Sequence, residues 1–197
     1  MRGGDDTEPG HRLFGHDTVI LAEPGRSVLR RYTGPRMRMT AEDGTVLAHL
    51  REHGAFGYVL HDLDERPVLG VDLVAGRRGF ARPEFLVTGP GGDPVGAVRS
   101  PGRLHRTRRL DVTTAAHGAL RFTRSAPLGR VWHVTDDADG VVARVTVSTV
   151  RSLDGLQGYR VEFDRRARDE RRRLVVGGTV CLQVVRRWLL APGGDAA

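Results

Sequence analysis

The residues best equipped for chemistry are arginines. Arg99, Arg103, Arg106, Arg108 and Arg109 fall within eleven positions, with His105 among them. Pro101-Gly102 sets part of this run on a loop between two β-prone stretches. Guanidinium groups gathered in this way hold phosphate through paired N–H donors, the chemistry that a lipid headgroup or a nucleic-acid backbone requires. Arg77 and Arg78, beside Gly76, Gly79 and Phe80, are a second candidate for the same surface, with Phe80 as an apolar tip. The competing reading is a solvated connection in an arginine-biased protein. All 31 basic residues are arginine, lysine and asparagine are absent, and Ile20 is the only isoleucine. Such usage points to a G+C-rich, bacterial gene, so the net charge of +7 and the pI near 10.9 are partly coding bias.

A second basic run, Arg165, Arg166, Arg168, Arg171, Arg172 and Arg173, is partly neutralised by Asp164, Asp169 and Glu170. It reads either as a membrane-facing collar or as a solvated, charged lead-in to the apolar stretch behind it, and the lead-in is the expectation. Other chemistry finds little footing. Asp137-Ala-Asp139-Gly140 resembles part of an EF-hand loop, but Thr135 and Thr146 stand where the first and last ligands belong, so a β-turn is expected. His49 and His53 are four apart at the end of an expected strand, a spacing that does not put both on one face. Neither G-x-S-x-G nor a P-loop occurs; Gly89-Pro-Gly-Gly-Asp93 lacks the lysine and reads as a hairpin turn. Cys181, the single cysteine, lies in an apolar run and reads as an inert core thiol. Expected accordingly are no catalytic residues, no metal and no cofactor.

These residues need elements to position them, and the sequence reads as serial hairpins. A β-prone run, an acidic or Gly-rich turn and a second β-prone run recur at 37–50, 58–73, 85–99, 110–122 and 132–147, with turn centres near Gly44, Glu65, Gly92, Gly118 and Gly140. Val19–Leu21 and Val28–Tyr32 are expected as strands ahead of them. In 141–147 the alternation puts Val141, Ala143, Val145 and Val147 on one face; in 159–163 it turns Tyr159, Val161 and Phe163 inward. Leu174–Val185 is apolar on every side. Its valines and Gly177-Gly178 disfavour a helix, but its length exceeds most strands, and a helix inside a closed barrel resolves the conflict.

Over about residues 36–190 the sequence resembles the tubby C-terminal-like superfamily, in its scramblase and LURP-one-related branch. The resemblance rests on the turns Glu42-Asp43-Gly44 and Asp137–Gly140, on the apolar–small strands that follow such turns (Val46-Leu-Ala48, Val68-Leu-Gly70, Val95-Gly-Ala97, Val142-Ala143), on Tyr159–Phe163 leading into a charged linker, and on the terminal segment Leu174–Val185. It implies an all-β fold with one helix: a closed antiparallel β-barrel of about twelve strands around a buried C-terminal hydrophobic α-helix. The corresponding boundaries are a disordered tail at 1–12, a barrel domain at 13–190 with its central helix at about 168–190, and a tail at 191–197. Tubby-like relatives bind phosphoinositide headgroups through basic patches. Scramblases are associated with calcium, but arginines interleave the matching segment near Asp164–Glu170 and would repel the ion. The functional expectation is therefore a non-enzymatic, monomeric, cytoplasmic protein that meets anionic phospholipid at the membrane surface through its arginine loops. The alternatives are a scaffold for an unknown protein partner and, with only 6% aromatic residues to stack on bases, non-specific nucleic-acid binding. The longest apolar stretch is twelve residues, short of the roughly 20 of a membrane span, and the acidic Asp5, Asp6 and Glu8 do not suit a signal peptide.

Overall fold

The structure, a computed structural model, describes residues 11–23, 37–54, 57–75, 82–101, 108–114, 118–126, 129–151 and 156–190. Among these, a short helix α1 (His11–Phe14) precedes twelve strands and a long helix. The strands are β1 (Thr18–Ala22), β2 (Met37–Ala41), β3 (Val46–His53), β4 (Gly57–Asp62), β5 (Pro67–Ala75), β6 (Glu84–Thr88), β7 (Pro94–Arg99), β8 (Arg109–Thr113), β9 (Ala119–Arg124), β10 (Val131–Asp136), β11 (Val141–Arg151) and β12 (Leu156–Phe163). The long helix is α2 (Asp169–Leu190). Every strand pairs antiparallel with its neighbours in the chain, and β1 also pairs with β12, Thr18 opposite Glu162 and Ala22 opposite Gly158, which closes the barrel.

The expected hairpins are β2–β3, β4–β5, β6–β7, β8–β9 and β10–β11, and their tight turns follow from local chemistry. Gly44, Glu65, Gly92 and Gly118 take the left-handed conformation at φ of 88°, 61°, 83° and 74°. In the fifth turn Asp139 has the positive φ, 57°, instead of Gly140. Asp136 Oδ1 accepts from the backbone N–H groups of Ala138 and Gly140, and Asp62 Oδ1 accepts from those of Asp64 and Arg66. Such bonds hold a turn without help from distant residues. The β-prone run at Val28–Tyr32, residues 1–10 of the tail expected at 1–12, and the tail at 191–197 lie outside the described residues, while His11 and Arg12 belong to α1.

One expectation of alternation fails. Val134 pairs with Ala143 but Thr135 pairs with Val141, so Val142 is an extra residue in a β-bulge. The bulge turns Val142 into the core and leaves Val141 59% exposed, while Ala143, Val145 and Val147 point inward as expected. Tyr159, Val161 and Phe163 are buried.

α2 fills the barrel. Every residue from Leu174 to Val185 is buried, with Thr179 and Cys181 fully so. Burial overrides the weak helix propensity of its valines. The small residues have a packing reason: a Cβ on Gly177 would lie 3.1 Å from Val87 Cγ1, and one on Gly178 only 2.5 Å from Phe122 Cζ. Barrel side chains thus press directly onto the helix backbone. The Thr179 hydroxyl donates back to the Val175 carbonyl at 2.8 Å, which satisfies it inside the core. Among the described residues no helix is long and apolar enough to cross a membrane.

The start of α2 corrects the reading of the second basic run. Arg165 is exposed, but Arg171 donates to Asp136 Oδ2 at 2.8 Å and Arg172 is buried. Arg172 donates to the carbonyls of Ala167, Phe14 and His16 and to the Asp17 carboxylate, with its guanidinium carbon 5.2 Å from the centre of the Phe163 ring. It ties the N-terminal segment, with the buried Leu13 and Phe14, to the base of the helix. The run is therefore partly an internal clamp and not a uniform solvated lead-in.

Candidate functional site

In an up-and-down barrel, successive connections alternate between the two ends. The five tight hairpin turns share one end. The connections between β1 and β2, β3 and β4, β5 and β6, β7 and β8, β9 and β10, and β11 and β12 belong to the other. The sequence distributes charge accordingly. The five turns hold seven carboxylates (Glu42, Asp43, Asp64, Glu65, Asp93, Asp137, Asp139) and one arginine, Arg66. The β12–α2 link adds Arg165, Arg166 and Arg168 at that end, near Asp17 and Asp164. The six alternate connections hold in their sequences eleven arginines and two carboxylates, Glu23 and Asp154; of these, Glu23, Arg82, Arg108 and Arg130 are among the described residues. Four of the arginines lie between β1 and β2, three between β5 and β6, three between β7 and β8, and one, Arg130, precedes β10. Among the described residues Arg82, Arg99, Arg108, Arg109 and Arg130 stand at this end, with Glu23 and Glu84, and like charges grouped over one surface give a field that attracts anions.

Of the candidate residues, Arg99, Arg108 and Arg109 are described, and Arg77, Arg78, Arg103 and Arg106 lie outside the described residues. Arg99 ends β7 and Arg109 opens β8, so both stand at the arginine-rich end, and β5 to β8 are consecutive staves of the wall. Both have carboxylate partners on that wall. Arg99 donates to Glu84 Oε1 at 2.6 Å and Arg109 donates through Nε to Asp111 Oδ1 at 2.7 Å. Their side chains are 63% and 47% exposed, so these pairs are weak. Arg108 is exposed, and its carbonyl accepts from the Arg124 N–H. Reading the loops one by one misses the contribution of the connections before β2 and β10. The available signal was the hairpin repeat itself, since every second connection of a meander reaches the same end.

The other candidates settle as structural residues. Asp137–Gly140 is a β-turn, and among the described residues no three His, Cys, Asp or Glu side chains are grouped to hold a metal ion. Burial pushes the Cys181 thiol far above its ordinary pKa, so it does not form a thiolate at neutral pH. The interior lined by Leu69, Val87 and Phe122 is occupied by α2.

His49 has a partner that spacing could not reveal. It sits opposite His61 on β4, and the Nδ1 atoms of both rings are shielded from solvent without a protein hydrogen-bond partner. Burial lowers the pKa of His49, the charges of Arg38 and Arg51 lower it further, and Glu65 opposes them. A histidine with a depressed folded-state pKa binds its proton more readily when unfolded. Its stabilisation is therefore complete above the unfolded value of about 6.5, is lost as the pH falls through the folded-state value, and then levels off. Urea midpoints measured from neutral pH into the mid-acid range should decline in the wild type and decline less in His49→Gln. Equal slopes would refute a role for this ring.

No family model and no curated protein matches the chain. Among solved structures, the X-ray structure of a protein from Arabidopsis thaliana superposes on it with a TM-score of 0.54 at 16% identity, covering 96% of this chain and 100% of the plant chain. The two proteins share a fold. At this identity the likeness is architectural, and the function must be argued from the barrel's own residues.

Proposed function

We propose that this protein is a tubby-like, LURP-one-related barrel that acts without catalysis, binding anionic phospholipid headgroups through its arginine-rich end. The observation that carries the reading is that Arg82, Arg99, Arg108, Arg109 and Arg130 stand at one end of the barrel and the carboxylates of four hairpin turns at the other. The sequences of the connections that alternate with those turns hold eight further arginines. The filled interior supports the same reading, because recognition is left to the outer surface. Guanidinium groups match phosphate oxygens in geometry as well as charge. The protein then works at the cytoplasmic face of a membrane.

The test is sedimentation with vesicles. At low salt the protein should pellet with vesicles containing phosphatidylserine and not with phosphatidylcholine alone. Neutralising Arg103, Arg106, Arg108 and Arg109 together removes about 1 kcal/mol per residue near the surface. Arg109 is already paired with Asp111 and counts for less, so the expected loss is about 3 kcal/mol, roughly a hundredfold in partitioning. Equal pelleting of this variant would defeat the proposal. Binding that is stronger to duplex DNA than to the vesicles, with a steep salt dependence, would replace lipid by nucleic acid as the ligand.

A further inference from the structure

Three side chains able to carry positive charge stand in one row on the side of the barrel. Arg38 of β2 lies opposite His49 of β3, and His49 lies opposite His61 of β4. Residues directly opposite in a sheet share a face. Here it is the outer face, because the buried Met37 and Met39 flank Arg38, the buried Ala48 and Leu50 flank His49, and the buried Leu60 precedes His61. Neighbouring strands lie about 4.8 Å apart, so one small molecule can touch adjacent members of the row.

The Nδ1 atom of each ring is shielded and unpartnered, yet both residues are part-exposed. The edge left to solvent is therefore the one away from Nδ1, where Nε2 sits. A shielded nitrogen with no acceptor is a poor place for a proton, so each neutral ring carries its hydrogen on Nε2, facing outward. Among the described residues no carboxylate pairs with Arg38, His49 or His61. Glu65, whose charge acts on His49, is held by Arg51 through both oxygens at 2.6 Å. Asp62, next to His61, directs Oδ1 to the N–H groups of its own turn, and on β5 the residue opposite His61 is Pro67. The row thus presents donors without acceptors.

Donors in a row suit an oxyanion. They do not suit a metal ion, because Arg38 and Arg51 both set positive charge beside His49. We infer that Arg38, His49 and His61 form a binding site for a dissolved phosphate or other tetrahedral oxyanion, Arg38 through its paired N–H groups and each imidazole through Nε2–H. The site lies on the side of the barrel, whereas a bilayer meets its end, so the ligand comes from solution and the site stands or falls apart from the headgroup reading. Linkage makes it sensitive to pH. An anion held beside two imidazoles favours their charged forms, so occupancy raises both pKa values and binding strengthens as the pH falls. Occupancy therefore opposes the acid loss of stability described for His49.

The experiment follows the imidazole C–H resonances of the full chain by NMR while inorganic phosphate is added at neutral pH and constant ionic strength. His49→Gln and His61→Gln identify these two rings among the eight histidines. The His49 and His61 signals should move together with a single dissociation constant. Arg38→Gln, a change at an exposed position, should weaken binding roughly tenfold, the loss of one hydrogen-bonding charge. In sulfate, a dianion throughout the range, both rings should titrate at higher pH than in chloride of equal ionic strength. Signals unmoved by phosphate, or an affinity unchanged by Arg38→Gln, would overturn the site. Signals moved by phosphatidylserine vesicles and not by phosphate would overturn it as well, since this face would then meet lipid. Pelleting with vesicles, measured separately, decides only the headgroup reading.

Discussion

Replacing Arg172 by alanine should lower the unfolding free energy by about 2–3 kcal/mol, the range for losing hydrogen bonds from a buried charged donor. A domain of this size has about 5–15 kcal/mol in all, so the loss is a large share of the total. The loss comes mainly from the backbone carbonyls. Phe14, His16 and Ala167 each lose a charged donor, and the Phe14 carbonyl, which is buried, is the costliest to leave without a partner. The ion pair contributes little, because the Asp17 side chain is 58% exposed and screened by water. Asp17→Asn should therefore cost under about 1 kcal/mol. Chemical denaturation compares the two variants, and hydrogen exchange at residues 13–19 shows whether the N-terminal segment detaches first. Equal costs for Arg172→Ala and Asp17→Asn would mean that the clamp is an ordinary surface pair.

Gly178→Ala should be destabilising although alanine favours helix over glycine by about 1 kcal/mol. The new Cβ would fall 2.5 and 2.7 Å from the Cζ and Cε2 atoms of Phe122, a ring with no exposed surface. Overpacking of a closed core costs about 1–3 kcal/mol, and a ring enclosed by the wall cannot swing aside, so the clash outweighs the propensity gain. Gly177→Ala meets the Val87 methyls at 3.1 and 3.4 Å, contacts relieved by shifts of a few tenths of an ångström, and should cost less than Gly178→Ala. Shortening the opposing side chain provides the check. In the double variant Gly178→Ala, Phe122→Leu, the two losses should be far from additive, with a favourable coupling in the range measured for residues in contact. Additive losses would show that the ring and the helix backbone do not limit one another.

The parts of the architecture that were legible in the sequence are those set by local chemistry. Turn residues with a positive φ mark hairpins, and an apolar stretch too short for a bilayer and too long for a strand marks a plug. Long-range features left no local trace. Arg172 looks like any other member of a charged run, and three of its acceptors lie 155 to 158 residues earlier in the chain. Val141 is exposed because a bulge intervenes, and nothing in an unbroken alternation of valines announces one. The His49–His61 pair depends on the β3–β4 register. For the candidate site, the individual arginines of the β7–β8 loop stood out, while their company at one end of the barrel came only from the direction of every strand.

The β1–β12 seam joins the first stave to the last, and the rod at the centre is translated after both. A nascent chain therefore cannot complete its cylinder before β12 has been made. Until the final helix leaves the ribosome, the growing meander must remain an open sheet with its greasy face and two raw edges uncovered. Long-range closures of this sort are slow and sticky in folding. Chaperone occupancy in the cell should consequently be greatest just before α2 emerges, and release should coincide with arrival of the core.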